Sequence, residues 1–106
     1  MKIFLTENAE DNLWHIYKYH ADYSHDYADE FQGQITDFIF TNLAQFPKIG
    51  TLYNPSQNLY RLVYEGRYNI YYVEKNGALY IVYVLDGRMQ LNLDIADPDA
   101  NLPLDD

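Results

Sequence analysis

Residues 66–89, GRYNIYYVEKNGALYIVYVLDGRM, decide the fold. Arg67 to Glu74 alternate between apolar and polar-capable side chains and predict one strand; Ala78 to Leu85 predict a second. Asn76-Gly77 lie between them. Both central residues of a tight hairpin turn need positive φ, which asparagine and glycine tolerate best. Asp86-Gly87-Arg88-Met89 close the segment.

Working outward, Leu59–Tyr64 alternates as another strand, with Glu65-Gly66 as a tight turn. If both turns have two residues, Tyr64 lies opposite Arg67 and Arg61 opposite Ile70. Lys75 then lies opposite Ala78, and Ile70 opposite Tyr83. One face would carry Leu59, Arg61, Val63, Tyr68, Ile70, Tyr72, Ile81, Tyr83 and Leu85, and its apolar centre assigns it to the core. Arg61 is awkward there. Either it sits at the sheet margin or a bulge shifts the register.

The N-terminal half has a different period. Lys2–Leu5 is a short strand candidate, followed by Ala9, Leu13, Ile16, Tyr17 and His20 at helical spacing. Thr6 or Asn8 can cap that helix. Ser24 can cap a second one, marked by Ala28, Phe31, Ile35, Phe38, Ile39 and Phe46. Pro47 and Gly50 stop it, and residues 47–58 read as a loop. The order is β-α-α-β-β-β, an α+β fold with an antiparallel sheet packed against an N-terminal helical hairpin. Residues 1–96 form the expected domain and residues 97–106 an acidic C-terminal tail.

The 106 residues suffice for one core. There is no cysteine, so disulfides and thiolate metal sites are excluded. No apolar run approaches the roughly 18 residues of a membrane span, and a soluble, cytoplasmic protein is expected. The net charge of −9 repels polyanions, so direct nucleic-acid binding is not expected. Positive balance is confined to residues 59–88, where Arg61, Arg67, Lys75 and Arg88 face three carboxylates. Eight of the twelve tyrosines fall in residues 53–83, which fits half-buried sheet faces or a protein-binding surface. Phosphate-loop, dinucleotide, HExxH and GxSxG patterns are missing from the sequence. His15, His20 and His25 are five apart and share no i, i+4 face. Neither a metal nor a cofactor is expected.

Four short motifs occur in order. They are Ala9, Leu13, Ile16 and Tyr17 on the first helix; Leu43-Ala44-Gln45-Phe46-Pro47-Lys48-Ile49-Gly50 at the exit of the second; Gly66-Arg67-Tyr68-Asn69-Ile70-Tyr71-Tyr72-Val73; and Val84-Leu85-Asp86-Gly87-Arg88-Met89. Together they resemble the RelE/ParE toxin superfamily, most closely its ParE-type, plasmid-stabilisation branch. The resemblance covers residues 1 to about 93.

The resemblance implies the toxin of a type II toxin–antitoxin pair, with DNA gyrase as target and a small cognate antitoxin as neutraliser. RelE-type ribonucleases carry arginine directly after the first tyrosine of the middle strand, where this chain has Asn69. Asp86 stands in place of the usual histidine. These departures favour inhibition by binding over catalysis, so no catalytic residue is assigned. Arg67, Asn69, Tyr71 and Arg88 are the expected exposed sheet contacts, with Met89 and Leu91 as apolar anchors. The alternatives are a RelE-like ribosome-dependent mRNA endonuclease and an inactive antitoxin-binding homologue.

Overall fold

A computed structural model describes residues 1–87. In chain order these form β1 (Lys2–Leu5), α1 (Glu7–Ala21), α2 (His25–Gln45), β2 (Thr51–Asn54), a single 3-10 turn (Pro55–Gln57), β3 (Leu59–Tyr64), β4 (Tyr68–Lys75) and β5 (Ala78–Asp86). The five strands lie in the order β1-β5-β4-β3-β2. Pairing is antiparallel except for β1, which runs parallel to β5. Fold class and helical hairpin are as the sequence implies. The sheet is antiparallel as expected apart from β1, whose parallel pairing the sequence did not reveal. β2 lies within the stretch read as a loop, and its four residues are too short to show a period.

Thr6 fixes how the first helix leaves the sheet. Its hydroxyl accepts a hydrogen bond from Ala9 N–H (3.2 Å) and donates one to the Ile81 carbonyl (2.8 Å). That one side chain caps α1 and ties it to β5. Pairing of β1 with β5 ends at Leu5–Ile81. Just beyond, Asn12 of α1 accepts from Val84 N–H (3.0 Å), so the helix takes over the strand's free edge. Ser24 caps α2 by accepting from Tyr27 N–H (3.2 Å).

The registers correct the derived face assignment. Arg67 N–H donates to the Tyr64 carbonyl (3.0 Å), and both Glu65 and Gly66 have positive φ, as a two-residue turn requires. Yet pairing resumes at Tyr64–Tyr68, so Arg67 is an extra position outside the β3–β4 register. Leu62 therefore lies opposite Ile70, and Arg61 opposite Tyr71. The second hairpin starts as derived, at Lys75–Ala78, then shifts by one between Tyr71 and Tyr72. Ile70 faces Val84 rather than Tyr83. Both irregularities act in one direction. Tyr60, Leu62, Tyr64 and Val84 join the helix-facing side with Tyr68, Ile70, Tyr72 and Ile81. Leu59, Tyr83 and Leu85 move to the other face, as do Arg61 and Val63, which lie one step along β3 from Leu62.

The main core thus lies between the helical hairpin and this sheet face. Ile35, Ile39 and Leu43 of α2 are fully buried against Ile70, Tyr72 and Ile81. Each such aliphatic side chain stabilises the fold by about 1.5–3 kcal/mol. Tyr72 is itself 0% exposed, and its hydroxyl accepts from Gly50 N–H (3.0 Å). The loop leaving α2 is anchored there.

Candidate functional site

The sheet face turned away from the helices carries the candidate residues. Its buried centre is Leu59, Tyr71, Val73 and Val82, flanked by partly buried Tyr53, Tyr80, Tyr83 and Leu85. Arg61 stands on this face between Thr51 of β2 and Tyr71 of β4. Its guanidinium lies 5.2 Å from the Tyr53 ring centroid, and Tyr53 packs edge-on against Tyr71 (5.1 Å). Among the described residues, the buried Arg61 Nε has no hydrogen-bond acceptor. The guanidinium is thus a partly buried cation mounted on an aromatic ring.

Tyr71 departs from expectation. It is 2% exposed, so it is not a surface contact. Burial raises its phenol above the usual tyrosine range, Tyr53 adds to the rise, and Arg61 and Asn69 oppose it. The hydroxyl therefore stays protonated at neutral pH. Tyr71 acts as the packed base on which Arg61 and Tyr53 are mounted. Asn69, two residues along β4, is partly buried and contacts the Tyr71 hydroxyl.

Arg67 sits at the end of the same hairpin. Its Nε lies 3.2 Å from Asp86 Oδ2, and its guanidinium lies 5.0 Å from the Tyr68 ring centroid. Its carbonyl accepts a short hydrogen bond from Gly87 N–H. Tyr19, Gly66, Arg67, Asp86 and Gly87 line an open, polar depression there. Beneath it, His20 is buried, with Nε2 3.0 Å from the Tyr68 hydroxyl. Burial lowers the imidazole below its ordinary range, and Arg67 lowers it further. His20 is held neutral as a core group.

The structure thus brings Arg67, Asn69 and Tyr71 onto one hairpin. Arg88, Met89 and Leu91 lie outside the described residues, as does the expected tail at 97–106. Arg61 was missed as a site residue because the turn bulge, invisible to alternation, decides its face. Its awkwardness in an apolar set was the available signal. Among the described residues no cluster of three or more metal-ligating side chains occurs, and no helix is long and apolar enough to cross a membrane.

Residues 3–91 match the family described as ParE toxin of type II toxin-antitoxin system, parDE. A solved structure described as the chromosomal ParDE TA system from P. aeruginosa contains a similar chain. The two share 18% identity with a TM-score of 0.67, over 79% of this chain and 92% of that one. At that identity the likeness speaks for the fold. No curated protein sequence matches significantly. Together with two helices on a five-stranded sheet, the family match over residues 3–91 shows that this chain belongs to the ParE toxin family of type II toxin–antitoxin systems.

Proposed function

We propose that this chain inhibits DNA gyrase by binding it, and that a cognate antitoxin neutralises the chain. The observation that carries the reading is Asn69. A metal-free ribonuclease needs cations converging on the phosphate. At the position where RelE-type enzymes have arginine, this chain places a neutral amide against the Tyr71 hydroxyl. The overall charge of −9 also disfavours a polyanionic substrate.

Inhibition by binding works through unequal affinity: the toxin holds whichever gyrase–DNA state it fits best. Arg67 and Asn69 supply polar contacts, and Arg88, Met89 and Leu91, which lie outside the described residues, are the remaining contacts of this reading. Arg61 joins them, with Tyr71 as its support. The antitoxin places a helix along the helical hairpin and an extended segment along the sheet.

Purified chain added to a gyrase supercoiling reaction should suppress supercoiling at micromolar concentration and accumulate cleaved DNA. Arg67→Ala should weaken the effect. Unchanged supercoiling together with cleavage of translated mRNA would replace this reading by the endonuclease. Full antitoxin affinity with neither activity would identify an inactive homologue.

A further inference from the structure

The outer face of the helical hairpin is unusually aromatic. Trp14 is 54% exposed, Tyr19 49%, Tyr23 81% and Tyr27 51%. Tyr19, Tyr23 and Tyr27 gather around the buried His20, and such grouped exposed rings mark a docking surface; Trp14 stands on another side of α1. They are also already ordered. Trp14 stacks on Tyr17 (5.8 Å), and the Tyr17 hydroxyl donates to Asp29 of α2 (2.6 Å), bridging the two helices. Tyr19 meets Tyr23 edge-on (5.7 Å), and Tyr27 meets the buried His20 (5.0 Å). Little rotamer freedom remains to be lost on binding.

Charge selects the occupant. Residues 7–37 carry eight Asp/Glu, all exposed, against one lysine, Lys18. A nucleic acid or anionic membrane would be repelled. A plain apolar partner would strand carboxylates at its rim. An arginine satisfies both features, since its plane stacks on an aromatic ring while its edge pairs with a carboxylate. On α1 itself a cation already lies over a ring, with Lys18 Nζ 5.9 Å from the Trp14 ring centroid.

We propose that this acidic, aromatic face of α1 and α2 receives an arginine-rich segment of the neutralising partner. The proposal rests on the reading that such a partner exists, and adds the chemistry by which it is recognised.

Trp14 is the single tryptophan, so its fluorescence reports on α1. The full chain is titrated with hexa-arginine, hexa-lysine and hexa-glutamate peptides. Hexa-arginine should perturb the emission saturably, hexa-lysine less tightly, and hexa-glutamate not at all. Tyr19→Ala, Tyr23→Ala and Tyr27→Ala should each weaken hexa-arginine binding about two- to fivefold. Equal affinity of the triple variant for hexa-arginine would show charge alone at work and overturn the proposal. The protein encoded beside this chain supplies the second arm. If it rescues growth and binds parent and triple variant equally, the docking face is wrong while the toxin–antitoxin reading stands. If it binds neither, both fall. A loss of about tenfold or more in the triple variant, with its circular dichroism unchanged, supports the proposal.

Discussion

Replacing Gly87 by alanine should disturb the candidate site at Arg67. A Cβ at Gly87 would lie 2.8 Å from the Arg67 carbonyl oxygen, 3.7 Å from its carbon and 4.0 Å from Asn69 Nδ2. The first contact is with backbone, which cannot rotate aside. Relief requires β5 to pull away from Arg67, and the Gly87 N–H to Arg67 carbonyl hydrogen bond weakens or breaks. Overpacking of this kind costs about 1–3 kcal/mol, and a lost hydrogen bond about 1 kcal/mol. Strand ends relax more easily than cores, so the lower part of that range applies, about 1–3 kcal/mol in all. For a domain of this size each kcal/mol shifts the melting temperature by about 4–8 °C. Gly87→Ala should therefore melt about 5–20 °C lower by circular dichroism. The proposed inhibition of supercoiling, measured below the new melting point, should fall as well, because Arg67 and Asp86 shift together. Melting within about 2 °C of the parent, with inhibition intact, would refute the close-approach argument.

Gly33→Ala is the counterpart, since a Cβ there meets nothing within 4 Å on exposed α2; the helix should gain about 0.5–1 kcal/mol in urea unfolding. Tyr72→Phe removes the acceptor for Gly50 N–H and should cost about 1–3 kcal/mol, with hydrogen exchange at Gly50 accelerated. His20 binds a proton less readily folded than unfolded, so protonation favours the unfolded chain. Its contribution is complete above about pH 6.5 and is lost progressively as the pH falls below that value toward the depressed folded pKa. His20→Phe, which keeps an aromatic ring, should flatten that part of the stability–pH curve; an unchanged slope in urea midpoints from pH 7 to 5 would count against it.

Much of the fold was legible because a few residues have narrow conformational tolerance. Asn76 and Gly77 both adopt positive φ, and the turn fell where this pair stood. Ser24 and Pro47 bracket α2 for similarly local reasons. The face assignment was not legible. Glu65-Gly66 makes the two-residue turn, but whether Arg67 pairs or bulges is decided by packing of Tyr64 and Tyr68 against Phe31. The second shift falls near Val82 in the run LYIVYVL, where apolar side chains fill both faces and alternation carries no information. The site inherits that limit. Asn69 was readable as a missing cation from residue type alone. The placement of Arg61 depends on a one-residue offset that reverses every side chain beyond it, and the burial of Tyr71 on packing with Tyr53 of β2, a strand too short to show a period.

The parallel pairing of β1 with β5 bears on the order in which the molecule can assemble. Lys2 finds its partner in Ala78, so the first strand has nothing to bond to until the last described strand has been synthesised. The β3–β4–β5 meander can form early, through turns of a few residues. The helical hairpin is equally local. Docking of β1, with Thr6 bonding to Ile81, closes a loop of some 75 residues, as the separation of that pair shows. Docking of β1 is thereby timed to the synthesis of β5. A nascent chain that lacks β5 presents neither a finished sheet nor the strand on which β1 docks.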